Sequence, residues 1–312
     1  MNVLFSGLKH LMQQEDIDYL TRVGFNVAFK KNTEEFDDPT WPTVMVGFKF
    51  IENQPLQHFT NLRVLQLTSA GYNHLDLEYI KENKISLHNA RGAHSIPIAE
   101  YVLGKILEVL KDSRFYQQCQ NDKVWDRSKP MKALYQRRAA ILGTGSIGQE
   151  IAKRLQVFEV ETSGFNSDGR AINYFDHTYP LHQFSDLAKR FDIVILALPL
   201  NEQTNQFMNK ERLLSIQNEA ILINIGRGQL INEPALIELL DSHFSAVILD
   251  VFEVEPLPQE SPLWDHPKVI VTPHHSSVDP TSDLKLKQLI LDNLTAYMKN
   301  EPLINEIKLN KE

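Results

Sequence analysis

Three apolar runs in this 312-residue chain end in side chains that bind planar acids or carry protons. Ala220-Ile-Leu-Ile-Asn-Ile-Gly-Arg-Gly228 ends in an arginine set between glycines. Leu249-Asp-Val-Phe-Glu-Val-Glu-Pro-Leu-Pro258 ends in acids before a proline turn. Val269-Ile-Val-Thr-Pro-His-His-Ser276 ends in two histidines. A guanidinium is a permanent forked cation that suits a carboxylate, and an imidazole beside an acid can hold and release a proton near neutral pH. All three segments close strand patterns at their carboxyl ends, where open α/β sheets bind their ligands. Within them Glu253 competes with Glu255, and His275 with His274. The chain has 11 histidines, most of which need only be structural or solvated.

A fourth segment, Ala139-Ala-Ile-Leu-Gly-Thr-Gly-Ser-Ile-Gly148, follows an apolar strand with glycines at 143, 145 and 148 and then opens a helix. Gly143 permits a tight turn, Gly145 lets a pyrophosphate approach the backbone, and Gly148 lets helix and strand pack closely. The N–H groups and dipole of the helix start attract phosphate. The strand–turn–helix context turns a common glycine pattern into a dinucleotide fingerprint. At the end of the next strand an acid would select NAD through the ribose hydroxyls. Asn166 stands there instead, with Ser167 and Arg170 able to meet a 2′-phosphate and Asp168 opposing them. The segment favours NADP(H) over NAD(H).

The elements that must position these residues alternate between strand and helix patterns, the signature of parallel α/β architecture. Strands are expected at 3–5, 25–29, 43–48, 63–68 and 85–88, with helices at 13–22 and 75–82. A second series follows at 139–142, 160–165, 193–198, 220–225, 246–251 and 269–272. Its uninterrupted apolar runs fit strands covered on both faces. Between the series, residues 98–110 form a helix apolar on more than one face, which must lie between domains or meet a second subunit. Ser95 is expected to cap that helix and Pro97 to sit in its first turn. A last helical pattern covers 283–299.

Apolar residues make up 42% and charged residues 23%, a folded rather than disordered profile. The formal charge of -8 offers nothing to nucleic acid or an anionic membrane, and no apolar run is long enough to span one. One cysteine, Cys119, excludes an intrachain disulfide and fits a reducing cytoplasm. The start Met-Asn-Val-Leu-Phe-Ser-Gly lacks the basic region of a signal peptide.

The chain resembles the D-isomer-specific 2-hydroxyacid dehydrogenase family. The likeness runs through Ser69-Ala-Gly71, Asn89-Ala-Arg-Gly-Ala-His-Ser-Ile-Pro-Ile-Ala-Glu-Tyr101 and the glycine turn to Leu198-Pro-Leu200. It continues through Asn224-Ile-Gly-Arg-Gly228, Asp250-Val-Phe-Glu-Val-Glu-Pro256, Ser261-Pro-Leu-Trp264 and Thr272-Pro-His274 to Lys299-Asn-Glu-Pro-Leu-Ile-Asn305. The resemblance implies two open parallel-sheet domains facing a cleft. Residues 1–97 and 277–312 would form a flavodoxin-like substrate domain, and 98–276 a Rossmann dinucleotide-binding domain.

It also implies roles. His274 is the general acid/base, Glu255 its partner because it directly precedes the proline, and Arg227 the carboxylate and carbonyl ligand. Backbone N–H groups of Ala70 and Gly71 hold the other side of the substrate carboxylate. Ser146, Ile147, Leu198, Pro199, Thr204, Ile225, Arg227, Asp250 and His274 join the glycines, Asn166, Ser167 and Arg170 around the cofactor, with Asp250 on the nicotinamide carboxamide. No metal is implied. The reaction is a hydride transfer between a nicotinamide and a small 2-keto acid/D-2-hydroxy acid pair, in a homodimer formed through the helix near 98–110.

Two rivals share the scaffold. A non-catalytic dinucleotide sensor would not require arginine, glutamate and histidine together, and a formate dehydrogenase-like reaction is disfavoured by Glu255. Phe48, Phe50 and Tyr72, near the Ser69–Gly71 loop, suggest a bulky or apolar keto acid, although aromatics at a strand end commonly serve packing.

Overall fold

The computed structural model describes residues 1–47 and 54–309 and resolves into two compact units, Met1–His94 with Asp279–Glu312, and Ser95–Val278.

The first unit holds five parallel strands, β1 (Asn2–Ser6), β2 (Asn26–Lys30), β3 (Val44–Gly47), β4 (Val64–Leu67) and β5 (Ser86–His88). Their order is β2-β1-β3-β4-β5, the flavodoxin-like doubly wound arrangement. Strand periodicity divides the core. Val3 and Phe5 enter one cluster with Leu286, Ile290 and Leu294, while Leu4 joins Met45, Leu65 and Leu87 in another. The helices are α1 (Gln14–Val23), α2 (Leu77–Glu82) and, from the C-terminal part of the chain, α9 (Pro280–Met298). Asp76 caps α2 by accepting the Tyr79 amide at 3.0 Å, and Asp279 caps α9.

The second unit contains seven parallel strands: β6 (Arg138–Leu142), β7 (Glu161–Asn166), β8 (His177–Pro180), β9 (Ile193–Leu196), β10 (Ala220–Asn224), β11 (Phe244–Leu249) and β12 (Val269–Val271). They lie in the order β12-β11-β10-β9-β6-β7-β8. This is the Rossmann order with a seventh strand, and its switch point falls beside β6. The helices are α3 (Ser95–Leu110), α4 (Ser113–Asp122), α5 (Ser146–Val157), α6 (Phe184–Leu187), α7 (Lys210–Ser215) and α8 (Glu233–Leu239). Among the described residues no helix is long and apolar enough to cross a membrane.

Details differ from the sequence reading. Strand β8 is absent from it, because His177-Thr-Tyr-Pro180 is a half-exposed edge where a proline is tolerated and apolar alternation is lost. Helix α3 begins at Ser95 itself, and Ser95 Oγ is buried without a hydrogen-bond partner among the described residues, so it is not a cap. Part of the multi-faced apolar pattern of α3 is met inside its own unit, while Leu103, Leu107 and Val109 are half-buried. Ile98, Val102 and Ile106 pack with Ile151 and Leu155 of α5 and with Ile141 of β6.

Candidate functional site

The glycine turn joins β6 to α5. Gly143 has φ +108, and a Cβ on it would collide with the Ala197 carbonyl. A Cβ on Gly148 would strike the Gly143 carbonyl oxygen. Gly145 differs. It precedes the first turn of α5, is exposed, and a Cβ there would meet nothing within 4 Å. The turn therefore packs tightly on its protein side and leaves open space at the helix start, where the first N–H groups lack intrahelical acceptors. A dinucleotide pyrophosphate fits that arrangement. Ser146 and Ile147 form the first turn beside it.

β7 lies next to β6 and ends at Asn166. This side chain is only 6% exposed and closes its own turn. Its Oδ1 accepts from the amides of Asp168 (3.3 Å) and Gly169 (2.6 Å), and its Nδ2 donates to Thr144 Oγ1 (3.3 Å) and the Arg170 carbonyl (2.9 Å). All four hydrogen-bonding positions of the amide are used within the protein. The exposed groups of the turn are Ser167, Asp168 and Arg170, and Arg170 Nη1 lies 2.7 Å from Asp168 Oδ1. Beyond β9, Leu198 is buried and Pro199 exposed, and Thr204 Oγ1 donates to the Pro199 carbonyl at 2.6 Å, closing the 199–204 loop.

At the end of β10, buried Asn224 shapes the arginine turn: its Oδ1 accepts the Gly226 amide (3.1 Å) and its Nδ2 donates to the Arg227 carbonyl (2.9 Å). Ile225 is buried beside it. Gly228 lies against the backbone of Phe252 and Glu253, leaving no room for a side chain. This contact ties the arginine turn to the acidic segment after β11. Arg227 Nη1 donates to the Gly226 carbonyl at 2.6 Å. Burial lowers the Arg227 pKa from the usual guanidinium value, and the Glu255 charge opposes that shift.

The acidic and histidine segments converge. His274 Nδ1 lies 2.8 Å from Glu255 Oε2, while Glu255 Oε1 accepts the Phe252 amide at 3.1 Å. Nε2 of His274 makes no hydrogen bond among the described residues. The rival acid is engaged elsewhere: Glu253 Oε1 accepts the Glu233 amide and Glu233 Oε2 accepts the Glu253 amide, both at 3.3 Å. His274 has φ +51, unusual for a residue with a Cβ, and its amide donates to the Asp250 carbonyl at 2.8 Å.

Asp250 itself is 1% exposed. Its Oδ1 accepts from Thr272 Oγ1 (2.6 Å) and the His275 amide (2.9 Å), and its Oδ2 from the Ser276 amide (3.1 Å). The carboxylate braces the histidine loop from within. Tyr101 and Thr272, which complete this network, were singled out by no functional pattern in the sequence. Tyr101 sits in an apolar helix, and Thr272 reads only as part of the Thr-Pro-His run.

In the other unit the Ser69–Gly71 loop is held by Asn89, whose Nδ2 donates to the Ala70 carbonyl at 2.7 Å, and by Ser69 Oγ, which donates to the Gly71 carbonyl at 2.7 Å. The amides of Ala70 and Gly71 make no hydrogen bond among the described residues. Tyr72, half-buried, packs on the apolar cluster of Leu65 and Leu87, and Phe48 and Phe50 lie outside the described residues.

The strand order, the glycine turn at the switch point and the open helix start define a dinucleotide-binding α/β protein. The model for the D-isomer specific 2-hydroxyacid dehydrogenase NAD binding domain matches residues 103–276. A glyoxylate/hydroxypyruvate reductase of Arabidopsis thaliana is 32% identical over 276 residues, covering 86% of this chain and 83% of that protein. A D-isomer specific 2-hydroxyacid dehydrogenase family protein from Aeromonas salmonicida superposes with a TM-score of 0.83 at 27% identity, over 99% of each chain. Another from Xanthobacter autotrophicus, in complex with NADPH and MES, gives 0.80 at 26% identity over 98% of this chain and 97% of that one. The chain belongs to the D-isomer specific 2-hydroxyacid dehydrogenase family. It is accordingly an NAD(P)-dependent oxidoreductase that moves a hydride between a nicotinamide and a 2-keto acid/2-hydroxy acid pair.

Proposed function

We propose that this enzyme reduces a small 2-keto acid, glyoxylate or hydroxypyruvate being the first candidates, with NADPH preferred to NADH and His274 as the proton donor. The observation that carries the reading is the 2.8 Å contact between His274 Nδ1 and Glu255 Oε2, which leaves Nε2 for the substrate. The dihydronicotinamide, when bound, supplies the hydride. Arg227 holds the substrate carboxylate and polarises the reacting carbonyl, and Nε2 delivers a proton to the carbonyl oxygen; the amides of Ala70 and Gly71, in the other unit, are proposed carboxylate donors. Glu255 keeps the imidazole oriented, with Nδ1 engaged and Nε2 turned to the substrate.

Ser95–Val278 is the dinucleotide unit in this reading, and the remainder the substrate unit. Gly143, Gly145, Ser146, Ile147 and Gly148 take the pyrophosphate. Leu198, Pro199, Thr204 and Ile225 line the cofactor, while Asp250 reaches the carboxamide with the oxygen that receives only Ser276. Preference for NADPH is supported by the lack of an acid at position 166 and by exposed Ser167 and Arg170. Asn166 acts by shaping that turn. The relative from Xanthobacter autotrophicus was also obtained with NADPH.

A second copy of the chain is the proposed partner, and the single cysteine favours a reducing cytoplasm as its setting. The contact is placed on the helix near 98–110, where Leu103, Leu107 and Val109 of α3 are only half-buried, and continues into the segment that follows it. There α4 has no buried residue, and Val124, Trp125 (91% exposed), Met131 and Tyr135 present apolar surface.

Initial rates with NADPH and NADH against glyoxylate, hydroxypyruvate, pyruvate and larger 2-keto acids test the reading. Higher efficiency with NADPH and a small keto acid supports it. Tight dinucleotide binding without turnover of any keto acid would instead favour a sensor.

A further inference from the structure

We infer that Tyr101, acting through Thr272 and Asp250, is a positioning residue for the loop that carries His274. The direction of each hydrogen bond follows from the chemistry of its members. The Asp250 carboxylate only accepts, so the 2.6 Å contact with Thr272 uses the single threonine proton. The second 2.6 Å contact, between Tyr101 and Thr272, must then be donated by the tyrosine hydroxyl. Burial pushes that hydroxyl up to about 12, so it remains a donor throughout the working range.

At the other end of the chain of bonds, Asp250 receives the amides of His275 and Ser276, and its backbone carbonyl receives that of His274. These contacts surround a residue held at φ +51, a conformation that persists only where neighbouring contacts impose it. Tyr101 projects from α3, whose Val102 and Ile106 pack in one cluster with Ile151 and Leu155 of α5. The relay thus anchors the histidine loop to the helix pair beneath the glycine turn. The catalytic consequence rests on His274 being the proton donor; the tether itself does not.

Tyr101→Phe, Thr272→Val, Thr272→Ser and the Phe/Val double variant test it, with hydrogen–deuterium exchange of the segment after Thr272 and steady-state kinetics as readouts. Tyr101→Phe and Thr272→Val should each speed exchange of the His275 and Ser276 amides about tenfold, the equivalent of one lost hydrogen bond. Each should lower kcat several-fold with little change in KM for the dinucleotide. Thr272→Ser should restore the parent behaviour, and the double variant should be no worse than Thr272→Val, because the two act in series. Unchanged exchange in Tyr101→Phe, additive losses, or a serine variant as impaired as the valine would overturn the relay. Exchange needs no turnover. Faster exchange in a protein that reduces no keto acid would uphold the tether and refute only the assigned reaction.

Discussion

Nδ1 of His274 lies 2.8 Å from Oε2 of Glu255, although 19 residues separate them and they follow different strands. Parallel neighbours β11 and β12 bring their carboxyl ends together, and the Phe252 amide fixes the second carboxylate oxygen. The carboxylate is thus oriented before the imidazole meets it. Glu255, the acid the sequence picks because it directly precedes the proline, faces the imidazole, while its rival Glu253 faces Glu233.

Glu255→Gln preserves a hydrogen-bond acceptor but removes the carboxylate charge that faces Nδ1 of His274. Its kcat should fall about 10²-fold, at the lower end of general acid–base contributions. Glu253→Gln should stay near the parent, because its side chain caps Glu233 instead. Equal losses in the two variants would contradict the assignment.

The glycine turn separates stability from binding. Gly148→Ala forces a Cβ onto the Gly143 carbonyl and should cost about 1–3 kcal/mol in urea unfolding. Gly145→Ala points into open space and should leave stability nearly unchanged while weakening dinucleotide binding about tenfold or more, as read by titration. A Gly145→Ala protein that binds normally would show that the phosphates lie elsewhere.

Arg170 is paired with Asp168 at 2.7 Å in an exposed turn. Asp168→Asn should release the guanidinium and raise the NADPH/NADH efficiency ratio, whereas Arg170→Ala should lower it about tenfold, the scale of one charge-assisted hydrogen bond. Ratios unmoved by either change would remove this turn from cofactor choice.

Much of this was legible because the informative residues lie in short local patterns. The glycine turn, the Gly-Arg-Gly end of β10, the Glu-Pro step and Thr-Pro-His each announce a strand end, and both sheets follow from apolar runs. Strand β8 was not legible, since an edge strand does not need apolar alternation. Nor were the duties of Asn166 and Asp250. Each occupies a position where a ligand contact is expected, and backbone donors show that each also braces its own loop. Tyr101 was hidden because one hydroxyl in an apolar helix reads as core until its partner Thr272, just after β12, is known.

Stability should also report the Glu233–Glu253 contact. Burial first, with the Glu253 charge adding and the Glu253 amide opposing, holds the Glu233 carboxyl above its ordinary range. The folded protein therefore binds this proton more tightly than the unfolded chain. The resulting stabilisation is complete below the ordinary glutamate value of 4.5 and is lost as pH rises through the higher folded value. Glu233→Gln should raise the Tm slightly at pH 7.5, roughly 1–2 °C, and match the parent near pH 4. A lower Tm at pH 7.5 would reverse the sign.

The most direct measurement compares the parent with His274→Ala under saturating NADPH and a small 2-keto acid, alongside dinucleotide affinity measured by fluorescence. Loss of about 10²–10⁴-fold in kcat with affinity retained is expected if Nε2 supplies the proton. A variant that turns over like the parent would contradict the role assigned to His274.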